Sequence, residues 1–178
     1  MKLEWRDVAP GDGPAISTSL TLAETDELRR LATGADVLEI GSAYGFSTVV
    51  LGQVARSVVA VDPHQWLNSF GTLLENLNAY GITSRAVVQI RRSDSWTVLP
   101  ELRAEGWKFD LVWIDGDHAV HAVAHDVGLA RLLLRPGGTL ACHDYDEDTC
   151  PGVREALDAW KPPAKLIDTL AIYGPGEW

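Results

Sequence analysis

Val37-Leu38-Glu39-Ile40-Gly41-Ser42-Ala43-Tyr44-Gly45 reads as a buried strand running into a glycine-bracketed turn, with a helix behind it. Val37, Leu38 and Ile40 supply the apolar strand, and Phe46 to Ala55 has the spacing of a packed helix. Glycines between a strand and a helix let a ligand approach the backbone without meeting a Cβ. In an open α/β sheet this turn lies at the carboxyl end of the strand, where ligands bind. Glu39, two residues before Gly41, places there a carboxylate that can accept hydrogen bonds from a ligand.

The pattern repeats downstream. Ser57 to Asp62 is a second buried strand, stopped by Pro63, and Ala86 to Arg91 a third; Phe109 to Ile114 and Thr139 to Cys142 follow as the fourth and fifth. Helices are expected at about 66–80, 97–105, 119–133 and 151–160, the last with Pro151 in its first turn. Arg135-Pro136-Gly137-Gly138 reads as a strong structural turn, since it follows a helix and precedes a strand, whereas phosphate loops precede helices. Lys165 to Ile167 and Leu170 to Tyr173 suit a closing pair of strands. Upstream, residues 1–20 are expected as an irregular surface arm around the Pro10-Gly11-Asp12-Gly13-Pro14 cluster. A helix follows at about 21–33, with Thr21 and Glu24 as its capping box, Leu22, Leu28 and Leu31 as its apolar side and Gly34 as its stop. Strands alternating with helices five times imply an α/β fold, doubly wound and Rossmann-like, with a mostly parallel sheet and an antiparallel pair at the C-terminus.

With 178 residues the chain fits a single domain, 1–178. The hydrophobic share of 46% with 22% charged residues is that of a soluble globular protein. A net charge of −10 argues against a nucleic-acid partner held by phosphate neutralisation. No apolar run approaches membrane-spanning length and no signal-like core opens the chain, so no membrane is expected and the cytoplasm is the default location. Cys142 and Cys150 form no metal-type pair and imply no disulfide framework.

The polar residues follow strand ends: Glu39 to Gly45, Asp62, Asp94, Asp115-Gly116-Asp117-His118 and His143-Asp144. In this architecture those ends share one rim of the sheet, so residues distant in sequence meet in one cleft. Asp62 lies about 20 residues beyond the turn, the spacing of a ribose-binding carboxylate. A dinucleotide fingerprint needs three glycines, but Ala43 and Phe46 occupy the second and third places, and Glu39 would repel a diphosphate. A cationic, adenosine-bearing ligand without phosphates, such as S-adenosylmethionine (SAM), suits the turn better.

On these residues the chain resembles class I SAM-dependent methyltransferases. It is most similar to the small-molecule O-methyltransferases of the macrocin/mycinamicin and cephalosporin-hydroxylase-like group, and more distantly to catechol O-methyltransferases. Val37 to Gly41 with Gly45, Val61-Asp62, Phe109 to His118, Leu133 to Gly138 and His143-Asp144-Tyr145 carry the resemblance, which covers roughly residues 35–147. Ala43 stands where the usual turn has its middle glycine, a replacement familiar in the O-methyltransferases.

The resemblance implies a cofactor site at Glu39, Gly41, Ser42, Tyr44, Gly45, Asp62, Asp94 and Asp115. Asp62 would take the ribose, Asp94 would face the adenine, and Trp66 or Trp96 would cover it. It implies a divalent ion, magnesium or a transition metal, on Asp115, Asp144 and His143. Many relatives carry an acid at the last position, and an imidazole shifts preference away from magnesium. His118 would be the catalytic base, with Asp117 as competitor; His121, His125 and Asp126 read as surface or supporting residues. The expected reaction is metal-assisted O-methylation of a small-molecule hydroxyl acceptor. The alternatives are a non-catalytic SAM- or nucleotide-binding module, or another reaction on the same scaffold. Few residues remain to cover the acceptor, so an open site or one completed by a second subunit in a homo-oligomer is expected.

Overall fold

A computed structural model describes residues 5–85 and 87–178. The chain opens with a hairpin, β1 (Arg6–Val8) and β2 (Ile16–Thr18), and helix α1 (Leu22–Ala32). Strand and helix then alternate through β3 (Asp36–Ile40), α2 (Phe46–Val54), β4 (Ser57–Val61), α3 (Ser69–Ala79), β5 (Val88–Arg91) and α4 (Ser95–Ala104). They continue through β6 (Phe109–Ile114), α5 (Val120–Leu133), β7 (Leu134–Cys142) and α6 (Pro151–Trp160), and β8 (Lys165–Ile167) and β9 (Leu170–Tyr173) close the chain. Seven strands form one sheet in the order β5-β4-β3-β6-β7-β9-β8. β3 to β7 run parallel, and β9 runs antiparallel to β7 and β8. This is the doubly wound α/β architecture with its antiparallel closing pair.

Side chains of successive strand residues point to opposite faces. Leu38, Ile40, Val59, Val61, Val112 and Ile114 pack with α4, α5 and α6 on one face. Val37, Val58, Leu111 and Trp113 pack with α1, α2 and α3 on the other. Both faces are covered, which is why the parallel strands read as continuous apolar runs. Among the described residues no helix is long and apolar enough to cross a membrane.

The strand order reverses at β3, which has β4 on one side and β6 on the other. Beyond this point the chain leaves β3 and β6 in different directions and opens a crevice. Gly41 N donates to Val61 O at 2.9 Å, and Asp115 N donates to Ile40 O at 2.8 Å, so the ladder holds up to the last residue. Gly41 has φ +92°, and a Cβ there would lie 2.0 Å from Asp115 O.

Several expectations are corrected. Residues 5–20 are not irregular: β1 and β2 pair, Ile16 and Leu20 are buried, and Arg6 Nη2 donates to Leu20 O. The Pro/Gly cluster is the hairpin's loop, and strands of three residues are too short to show a period. Arg135 to Gly138 do not form a free turn but a bulge inside β7. Leu134 pairs with Phe109 and Thr139 with Leu111, with Gly137 at φ +87° between them. Arg135 Nη1 is pinned between Asp36 at 2.9 Å and Asp110 at 2.8 Å. α3 starts only at Ser69, because Asn68 is left-handed at φ +59°. α4 starts two residues early, at Ser95, because Asp94 caps it by accepting from Thr97 N at 2.8 Å. Leu22 faces solvent rather than the core. Ala86, expected to open the third strand, lies outside the described residues.

Gly41→Ala meets both a left-handed φ and backbone atoms that cannot give way, so a loss on the order of 3 kcal/mol or more is expected. Gly34→Ala, at φ +71° with open space around it, should lose only about 1 kcal/mol. Equal losses in urea denaturation would show that the contact with Asp115 carries no cost.

Candidate active site

Two adjoining cavities open at the crevice. The larger, of about 470 Å³, runs past Gly41 between Asp62 and Asp94-Ser95-Trp96. The smaller, of about 130 Å³, is lined by Trp5, Tyr44, Asp144 and Cys150. Gly41, Ala43, Trp66, Asp115, Gly116 and His118 border both. The larger is within the size range of small-molecule sites.

The glycine turn is organised by Asp62. Its Oδ2 accepts from Ser42 N at 2.9 Å and Ala43 N at 2.8 Å, and its Oδ1 accepts from His64 N at 2.6 Å. Consecutive backbone amides thus form an anion-binding concavity, and Asp62 occupies it from the edge of the larger cavity. Tyr44 packs against Trp5 and Trp66, with centroid separations of 6.4 and 6.0 Å, at the mouth of the smaller cavity. Gly45 has φ +92°, and a Cβ there would lie 2.5 Å from Leu73 Cδ1.

Glu39, expected at the cofactor, lies behind the turn. Its side chain is fully buried beneath α2, accepting from Ser47 Oγ at 2.5 Å and Thr48 Oγ1 at 2.7 Å, and it lines neither cavity. Burial raises its carboxyl to about 8 against the two hydroxyl bonds, and the charges of Asp115 and Asp62 add to the rise. It ties β3 to the start of α2 and so shapes the turn from behind.

Asp115, His118, His143 and Asp144 come together as expected. His118 Nε2 lies 2.9 Å from Asp144 Oδ2, and its Nδ1 lies 3.2 Å from Cys150 Sγ. The bond to Asp144 raises the His118 pKa against the effect of burial. Burial pushes the Cys150 thiol up. His143 is fully buried, with Nδ1 at 3.1 Å from Asp144 Oδ1 and 3.3 Å from Asp115 Oδ1, and Nε2 at 3.2 Å from Glu24 Oε2. Burial disfavours its charged form, but Asp115, with Asp144 and Glu24, more than offsets this and holds the ring well above the usual histidine range. Asp144 adopts φ +62°, a conformation more accessible to Asp than to most residues, and offers one oxygen to each histidine.

The remaining candidates serve structure in part. Asp94 caps α4. Asp117 Oδ1 accepts from Ala119 N at 2.9 Å and is exposed. α5 begins at Val120, so His118 stands in the preceding loop and shares no helical face with His121 and His125. His125 stacks on Trp96 with centroids 3.6 Å apart, and its Nδ1 lies 3.1 Å from buried Asp126. Sequence reasoning missed two residues here. Glu24 looked fully explained as part of a capping box. Cys150 gave no signal beyond preceding Pro151.

The family described as a methyltransferase domain matches residues 38–145. No curated protein matches the chain. Among solved structures, cofactor-bound Rv0187 from MTB is 25% identical, with a TM-score of 0.67 over 83% of this chain and 70% of that one. The O-methyltransferase from Bacillus cereus, in complex with SAH, is 20% identical with a TM-score of 0.65, covering 79% and 69%. The O-methyltransferase TomG from Streptomyces achromogenes, involved in tomaymycin synthesis and in complex with SAM, is 23% identical with a TM-score of 0.63, covering 79% and 68%. Likeness to the last two at such identity speaks to the fold alone.

The raised Glu39 carboxyl has a signed consequence for stability. The folded state keeps a proton that the unfolded chain releases near 4.5, so this contribution is full below about pH 4.5 and is lost as pH rises through about 8. Glu39→Gln is neutral throughout. Denaturation across this window should show wild-type stability falling more steeply with pH than the variant's. Parallel curves would mean that Glu39 is ionised in the fold.

Proposed function

This chain belongs to the methyltransferase-domain family, and on that premise we propose that it acts as one domain that transfers the methyl group of SAM to a hydroxyl of a small molecule. The observation that carries this reading is the pair of cavities with His118 in their common wall. The larger suits the cofactor: Asp62 stands at its edge for the ribose, and Trp96 and Asp94 lie at its far end. The smaller suits the acceptor.

His118 is the base. Its Nε2–H donates to Asp144, which leaves Nδ1 as the nitrogen with the available lone pair, turned toward Cys150 and the acceptor cavity. The acceptor hydroxyl donates to Nδ1. As its oxygen takes the methyl group, the proton passes to Nδ1 and Asp144 stabilises the imidazolium. The products are the methyl ether, the demethylated cofactor and one proton held on His118.

A divalent ion fits Asp115, His143 and Asp144. His143 Nδ1 is buried and makes no hydrogen bond, although two carboxylate oxygens lie 3.1 and 3.3 Å away. Ligand atoms at about 2.1 Å from one ion lie about 3.0–3.4 Å apart, so these separations suit a shared ion. Bound there, the ion would orient the acceptor oxygen and lower its pKa. The carboxylates of Glu24, Asp115 and Asp144 around His143 call for compensating positive charge, which such an ion or a proton on His143 would supply.

Calorimetry should show SAM and SAH binding, with Asp62→Ala weakening both. A nicotinamide dinucleotide binding in preference to SAM would overturn the cofactor assignment. With an acceptor found by screening hydroxyl compounds against labelled SAM, His118→Ala should slow methyl transfer about 10²–10⁴-fold while SAM binding persists. Unchanged turnover would remove His118 from the chemistry, and full turnover in chelator would remove the ion.

A further inference from the structure

Glu24 sits on α1, far along the chain from the crevice, yet its side chain is fully buried against the site. Its Oε1 accepts from Thr169 N at 2.8 Å and Thr169 Oγ1 at 2.7 Å. Its Oε2 accepts from Thr21 N at 2.8 Å and lies 3.2 Å from His143 Nε2. A carboxylate has about four acceptor positions, and here each has a partner. The group therefore cannot turn without breaking the capping box, the link to the C-terminal strands, or both. His143 is held in consequence: Nε2–H faces Glu24, and Nδ1 faces Asp115 and Asp144 on the opposite side of the ring.

We propose that Glu24 is the positioning residue of a divalent-ion site at Asp115, His143 and Asp144, and that its hold on His143 makes the site prefer a transition metal of the manganese-to-zinc series over magnesium. This rests on the ion reading given above and adds to it a residue and a selectivity. A carboxylate behind a ligating histidine fixes the tautomer, aims the free nitrogen and raises its basicity. One nitrogen among oxygen donors favours later first-row metals, whereas magnesium favours an all-oxygen shell. Without Glu24 only the neutral Thr169 Oγ1, 3.3 Å from Nε2, would remain to hold the ring, so the ring could rotate or carry its proton on Nδ1 and the nitrogen donor would be weakened.

The test is metal binding, independent of methyl transfer. Protein stripped with chelator is titrated with Co²⁺, Zn²⁺ and Mg²⁺ by calorimetry, and the Co²⁺ adduct is followed by its visible absorption. Wild type should bind Co²⁺ and Zn²⁺ at least about 10-fold more tightly than Mg²⁺. Glu24→Gln should weaken Co²⁺ binding about 10–100-fold and change its spectrum. Thr21→Ala removes the side-chain cap of the same helix but leaves the Glu24–His143 contact, so its Co²⁺ affinity should stay within about 3-fold of wild type. His143→Asp, which needs no orienting partner, should move the preference toward Mg²⁺ even if Glu24→Gln fails to fold. A wild type that binds no ion overturns the ion reading, and this proposal with it. Wild-type Co²⁺ binding matched by a folded Glu24→Gln leaves the ion site standing and refutes the role of Glu24. An equal loss in Thr21→Ala reduces Glu24 to a structural residue, and no change of preference in His143→Asp refutes the selectivity.

Discussion

The backbone contact between the end of β3 and the end of β6 is the constraint on which the rest depends. With no side chain on Gly41, the turn passes directly over Asp115 O, where a Cβ would lie 2.0 Å away. That approach lets both strands keep their ladder to the last residue and then part, which creates the crevice. Asp62 fixes the turn from the next strand by gathering the Ser42 and Ala43 amides, and Glu39 fixes it from beneath through Ser47 and Thr48. The two acids differ in place and in environment: Asp62 follows the last residue of β4, and Glu39 lies inside β3. One stands at the cavity edge, and the other is buried deeply enough to retain its proton near neutral pH.

The site is also tied to the ends of the chain. The capping box of α1 is an ordinary local device worth about 1 kcal/mol, but its glutamate also bonds Thr169, beside β9, and His143, after β7. Helix start, closing strands and candidate ion ligand therefore share one buried carboxylate. Burial alone would raise its pKa, yet His143, with Thr21 and Thr169, carries it down to about 2. Acid strong enough to protonate Glu24 would thus loosen the fold and the site together.

Much of this was legible because parallel strands covered on both faces leave apolar runs, and because the Thr21–Glu24 box and Pro151 mark helix starts directly. The cluster of Asp115, His118 and Asp144 followed from the rule that strand ends share a rim. The orientation of Glu39 was readable in principle. It has the parity of Val37, which faces α1 and α2, so nearness to the turn in sequence did not imply access to the cleft. The β1–β2 hairpin was not readable, because its strands lack a period. Glu24 was hidden by sufficiency: once a residue has a complete local explanation, nothing in one sequence signals a second partner more than a hundred positions away.

Gly152 brings the start of α6 onto the loop of His118, where a Cβ would lie 2.4 Å from His118 O, and so delivers Cys150 to the free nitrogen of the imidazole. In the resting protein that nitrogen already has a companion. On the proposed role of His118, an acceptor would enter by exchange, and its affinity would be the difference between its own hydrogen bond and the one it displaces. A thiol is a weak donor, so on that reading an alcohol or phenol that aims its hydroxyl at Nδ1 would win the exchange. A molecule of similar shape with only a methyl or a hydrogen there would displace the thiol without replacing its hydrogen bond to Nδ1, and would bind more weakly by that difference.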